Sequence, residues 1–242
     1  MPHTLARSLA QFEQTFRYPL GAGWFRIDHG DDYSRFYRSL GDTTTVVAHD
    51  QGGSVGVCSW AVRTLERPRS APLQALYVGD LKIAPRARGA RVLWRLARAL
   101  RESSLTLESA YGVIMHGTSI DPSHYTGRAG VPHFTRVADL SIWRVVVPAP
   151  TPAAPLIDAV ASSEGEALFR CLAGDSIFTL AGDARLRSTA PVQWFATADR
   201  KACGRREDTT RAKQLFDQDG AALVSRHLSA FAFATPAAGT SY

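Results

Sequence analysis

The sequence predicts an α/β fold of the mixed, α+β kind, and three observations carry that expectation. Strand-like and helix-like segments alternate along the whole chain. A hairpin signal lies at 43–62, and a strand, a compact turn and an amphipathic helix follow one another over 76–100.

Leu5 to Phe16 reads as a helix with Leu9, Phe12 and Phe16 on one side. Tyr33 to Leu40 reads the same way, entered through Asp31 and Asp32, whose charge suits a first turn. Thr43 to His49 is β-branched, Asp50-Gln51-Gly52-Gly53 is turn chemistry, and Ser54 to Val62 resumes a strand. Glu66 to Pro72 reads as a charged loop. Leu76 to Ile83 is a strand ending at Ala84-Pro85. In the helix after it, Val92, Leu93, Leu96, Ala97 and Leu100 share one face, and Arg91, Arg95 and Arg98 another. Further on, Gly112 to His116 is a short strand, Asp121 to Thr126 opens a helix, and Leu140 to Val147 is a β-branched strand.

Residues 148–155 hold four prolines, which no helix or central strand accommodates, so they read as a linker between a domain at 1–147 and a C-terminal α/β extension at 156–242. In the extension, Leu156 to Leu172 and Asp208 to Phe216 read as helices, Val192 to Thr197 and His227 to Ala234 as strands.

At 242 residues and 45% hydrophobic, the chain can bury a real core, which excludes wholesale disorder. There is no run of about 18 apolar residues, and Met1 to Arg17 lack the apolar stretch of a secretory signal. Three scattered cysteines (Cys58, Cys171 and Cys203) form no CxxC pair, and the histidines show no metal spacing. The expectation is a cytoplasmic protein with no metal and no membrane contact.

The net charge is +6, and it is not evenly spread. From Arg63 to Arg101 ten basic residues face two acidic ones, a local balance of +8. The first turn of a helix leaves about four backbone N–H groups unpaired and carries the positive end of the helix dipole. Glycine lets a phosphate approach the backbone closely. A strand that runs through an Arg- and Gly-bearing turn into a helix is therefore a phosphate or pyrophosphate site, here at Arg86-Ala87-Arg88-Gly89-Ala90-Arg91. Neither the GxxxxGK[ST] loop nor GxGxxG is present.

Tyr77 to Pro85 followed by Arg86 to Leu93 resembles the GNAT superfamily of acyl-CoA-dependent N-acyltransferases, over about residues 20–147. The family signature is Gln/Arg-x-x-Gly-x-Gly/Ala. Arg86 and Gly89 match its first and fourth positions, and Arg91 departs from the small residue at its sixth. The resemblance implies a mixed, mostly antiparallel central sheet with a splayed strand pair and helices on both faces. It implies an acyl-CoA donor, acetyl-CoA or another, with pantetheine held along Leu81, Lys82 and Ile83. The pyrophosphate would lie on Arg86, Ala87, Arg88, Gly89, Ala90 and Arg91. The acceptor would be a small amine or peptide attacking the thioester directly. Asp80 or His116 would serve as base and Tyr125 as general acid. The C-terminal segment reads either as a partial second unit of the same kind or as a cap on the acceptor pocket. Two alternatives stay open: an aminoacyl-tRNA donor, which the arginine stripe through Arg95, Arg98 and Arg101 would suit, and a non-catalytic acyl-CoA-binding domain.

Overall fold

The computed structural model describes residues 3–89, 91–103, 107, 109–116, 126–128, 131–142, 157–180 and 182–234. Its central sheet consists of β3 (Asp42–Asp50), β4 (Gly53–Arg67), β5 (Ser70–Ile83) and β6 (Ser109–Gly112), in that order. The first three are antiparallel and β6 runs parallel to β5. The Asp50–Gly53 turn closes the expected hairpin. The segment 66–72 is not a loop: β4 and β5 run to Arg67 and from Ser70, leaving two residues of turn. Cross-strand pairing at both ends overrides the charge and the prolines, with Pro72 near the solvent-facing start of β5.

Helix α1 (His3–Glu13) and helix α3 (Val92–Ser103) pack on β4, where Leu9, Phe12, Val57, Trp60, Leu76, Val92 and Leu96 form the main core. The apolar stripe of α3 docks at Gly56, where an added Cβ would lie 2.6 Å from Val92 Cγ1. The short helix α2 (Arg35–Arg38) packs on β3 and β4, bringing the Tyr37 hydroxyl against Gly79. A Cβ there would lie 2.2 Å from that oxygen. Gly79→Ala is expected to cost about 1–3 kcal/mol by overpacking. Part of this should return in Gly79→Ala/Tyr37→Phe, and equal urea midpoints for the single and double variants would refute the contact.

The remainder of the chain returns to the first part. β1 (Tyr18–Leu20) and β2 (Gly23–Asp28) form a sheet with β10 (Gln214–Asp217). Buried Arg187, in α5 (Ala184–Arg187), clasps Glu207 Oε2 at 3.1 and 2.7 Å and donates to the Ser39 carbonyl at 3.2 Å. Phe178 bridges to Glu66 through two backbone hydrogen bonds. The third sheet has the order β11 (His227–Phe233), β9 (Ala202–Glu207), β8 (Gln193–Thr197) and β7 (Ile157–Val160). Helix α4 (Ser162–Ala173) packs on it around Phe169 and Trp194.

Several expected elements differ. The helix expected from 156 begins only at Ser162, because the apolar run Ile157–Val160 pairs with β8 instead. Asp208 does not cap a helix. Its carboxylate accepts from the Thr189, Ala190 and Thr210 amides, tying two loops together, and the chain then enters β10. The strand expected at 112–116 is Ser109–Gly112, with Val113 to His116 beyond its end. Residues 140–142 carry no strand; 143–147 and the linker 148–155 lie outside the described residues.

Candidate active site

β5 breaks its register with β4 between Val57–Lys82 and Ser59–Gly79, so Asp80 and Leu81 together oppose Cys58. This is a β-bulge, and Asp80 within it takes a left-handed backbone (φ +49°). A non-glycine residue there costs of order 1 kcal/mol or more, least for Asn and Asp. The bulge puts Asp80 and Lys82 on the same interior cluster. β11 shows the same device, a register shift with Ala230 at φ +49°.

Around the bulge lies a buried ionic cluster. Glu13, the last residue of α1, is 2% exposed, His29 just past β2 is 4% exposed, and Lys82 is 4% exposed. The Lys82 ammonium donates to Glu13 Oε1 at 2.6 Å and to the Tyr33 hydroxyl at 3.2 Å, and lies 3.1 Å from Asp80 Oδ1. Glu13 holds His29 from two sides: its Oε1 is 2.7 Å from Nδ1, and its Oε2 accepts the His29 amide at 2.9 Å. His29 Nε2 approaches Asp80 Oδ2 at 3.3 Å without hydrogen-bond geometry, which leaves that buried oxygen unpartnered.

Burial alone would raise the Asp80 carboxyl, but Lys82, His29 and Lys213 outweigh it and bring it down to about 2. Glu13 is also lowered: burial opposes, and the His29 hydrogen bond and the Lys82 charge prevail. Lys82 rises well above its usual value, because its anionic neighbours overcome burial. Burial, with Asp80 nearby, pushes the Cys58 thiol up to about 12, so it is no nucleophile at neutral pH. Glu13, His29 and Asp80 offer ligand atoms within 4.8 Å of one another, but Lys82 already fills the cation position among them.

One edge of β5 opens at this point. Pairing with β6 covers Ala75 to Val78 and stops at Gly112, whereas β4 stays paired through Ile83. Among the described residues, 79–83 therefore have no strand partner on that edge, which leaves a gap where β6 ends. The 3-10 turn Pro85–Ala87 follows, then Gly89 (φ +84°), Arg91 (φ +58°) and the start of α3. Within this turn the Ala87 and Arg88 amides donate to Ala84 and Pro85 carbonyls. The donors left to face an anion are those of the first turn of α3. Arg86 is held by Asp50 at 2.6 Å. Beside it, a cleft of about 460 Å³ is lined by Ser8, Phe12, Thr15, Gly53, Ala84 and Arg86.

Of the residues singled out from sequence, Asp80 and Lys82 meet in the cluster, and Leu81, Ile83 and the turn 86–89 with Arg91 adjoin the gap. The exposed imidazole of His116 is not in the cluster; it lies 3.3 Å from Asp139. Tyr125 and Ala90 lie outside the described residues. Sequence reading missed Glu13, His29 and Tyr33. Glu13 carried a signal: it stands four residues after Leu9 and next to Phe12, on the apolar side of α1, where an acid needs a buried cation.

No protein-family model matches the sequence, and no curated protein is similar to it at sequence level. Solved structures do resemble the fold. Saccharomyces cerevisiae N-myristoyltransferase with bound myristoyl-CoA superposes with a TM-score of 0.51 at 10% identity, covering 88% of this chain and 56% of that one. A second structure of it, with myristoyl-CoA and inhibitors, gives 0.51 at 11% identity over 88% and 57%. The chain thus spans little more than half the length of that protein. A Trypanosoma brucei acetyltransferase matches at a TM-score of 0.38 and 18% identity, over 59% of this chain and 96% of its own.

Proposed function

We propose that this chain, which has the GNAT-superfamily fold, is an N-acyltransferase that moves an acyl group from acyl-CoA to an amine. One observation carries the reading: the open edge of β5 at 79–83 leads directly through a left-handed glycine turn to the start of α3. A thioester arm laid along that edge would place its pyrophosphate at the helix start, where unpaired N–H groups and dipole favour anions. The yeast enzyme that shares this fold was solved with myristoyl-CoA bound, which supports an acyl-CoA as donor class.

The residues suggest how the chemistry would run. An acceptor arriving as an ammonium must lose a proton before it attacks the thioester. Asp80, ionised beside the gap, would attract and orient it. His29 stands 3.3 Å behind Asp80 and would receive that proton, with Glu13 bracing the ring. Backbone N–H groups on the open edge of β5 would hold the oxyanion of the tetrahedral intermediate. The thiol product would leave along the edge by which the donor entered.

Thermal shift with acetyl-, octanoyl- and myristoyl-CoA, followed by thiol release over a panel of amines, tests this. Stabilisation by at least one acyl-CoA and amine-dependent thiol release are expected. Stabilisation by none of them would overturn the reading.

A further inference from the structure

Among the described residues, Arg63 is a cation without a counter-ion. On β4 it faces β6 and the C-terminal part of the chain, where Nη1 donates to the Tyr111 hydroxyl at 3.2 Å and Nη2 to Thr179 Oγ1 at 3.3 Å. Its Nε is buried and has no partner. Among the described residues no carboxylate pairs with it, unlike the buried Arg187, which has Glu207. A half-buried guanidinium whose Nε is hidden and unpaired, with neutral hydroxyls on its other nitrogens, lacks a counter-charge that an anion arriving there would supply. Arg63, Tyr111 and Thr179 are all half-buried, so the group is reachable.

An aromatic track joins this cation to the reaction centre. Tyr111 packs on Tyr77 at 5.3 Å between centroids, and Tyr77 stacks on Tyr37 at 6.1 Å. The Tyr37 hydroxyl in turn abuts Gly79, beside Asp80. Tyr111 pairs with Tyr77, which lies three strand positions from Asp80 along β5, roughly 10 Å at about 3.3 Å per residue.

We propose that Arg63, with the Tyr111 and Thr179 hydroxyls, receives a carboxylate of the acceptor, so the acceptor is an amine bearing a carboxylate roughly 10 Å away, the span of a di- or tripeptide. A single guanidinium flanked by hydroxyls balances one negative charge and so suits a carboxylate better than a phosphate dianion. This assignment rests on the N-acyltransferase reading, and its test separates the two.

Calorimetry on the full chain, with CoA present, would compare triglycine with triglycine amide. The acid is expected to bind about ten-fold or more tightly than the amide, the worth of one charged hydrogen-bonded contact. Arg63→Gln should remove that preference while leaving CoA affinity unchanged. Arg63→Lys, which keeps the cation and protects against misfolding of the first variant, should keep part of it. Equal binding of acid and amide, no binding of either, or a preference that survives Arg63→Gln would overturn the assignment. Failure of CoA itself to bind would instead overturn the acyltransferase reading.

Discussion

Lys82→Met is expected to destabilise the folded protein by about 3–5 kcal/mol, the usual cost of removing one partner from a buried ion pair. The ammonium has two carboxylates within reach, Glu13 at 2.6 Å and Asp80 at 3.1 Å; Lys82 and Glu13 are taken out of water, and Asp80 is 11% exposed. Methionine fills similar space, so the loss is of charge more than of packing. What remains is two buried anions with only His29 between them. In urea the midpoint should fall accordingly, and melting should drop by about 10 °C for a chain of this size. Glu13→Gln/Lys82→Met, with one anion gone as well, should recover at least about 1 kcal/mol, which makes the pair measurably coupled. A single variant within about 1 kcal/mol of wild type would mean that the cluster is solvated and the pairing unimportant.

The same variant should change the acid response. Glu13 and Asp80 are held below their ordinary values in the folded protein, so their contribution is complete above about pH 4.3, where the unfolded groups are ionised. It drains away as the pH falls through the folded values, about 2 for Asp80. Wild-type stability should therefore hold down to about pH 4 and fall between there and pH 2. Without the Lys82 charge the buried carboxyls prefer their neutral form, and the variant should lose far less over that interval.

Much of this fold was legible because its local and tertiary preferences agree. The hairpin at 43–62 has β-branched strands and a glycine turn, and α3 has both a clean apolar stripe and a sheet for it to cover. Elsewhere tertiary pairing overruled local preference. Ile157–Val160 could have continued a helix but found β8, and Asp208 had the chemistry of a cap but found two loop amides 18 and 19 residues back and one two residues ahead. The site divides in the same way. Asp80 and the turn at 86–91 are visible because strand, glycine and arginine are adjacent in sequence. His29 and Tyr33 join the cluster through the packing of β2 and the loop after it against a bulge in β5, and no pattern in sequence announces a bulge at a non-glycine residue. Arg63 appeared only as one arginine among many; its lack of a counter-ion is a property of the folded surroundings alone.

Gly89→Glu should weaken CoA binding about a hundredfold, near 2.7 kcal/mol, while the protein stays folded. Two effects add. Gly89 has φ +84°, which an L-residue adopts at a cost of about 1 kcal/mol, although open space surrounds the added Cβ. The new carboxylate then stands just before the start of α3, where a pyrophosphate is expected, and the two anions repel each other. Gly89→Ala carries the strain without the charge and should cost less than ten-fold, so calorimetry on the pair separates backbone from electrostatics. Arg86 provides the contrast. Its position in the family signature suggests a direct phosphate contact, but its guanidinium is taken by Asp50 at 2.6 Å and leans on the Gly52 carbonyl at 3.4 Å. Its charge is largely spent in pinning the turn to the β3–β4 hairpin, so Arg86→Ala should weaken CoA by only a few-fold. If Gly89→Glu bound CoA within about three-fold of wild type, the anion would have to bind elsewhere, and the gap beside β5 would lose its link to a phosphorylated donor.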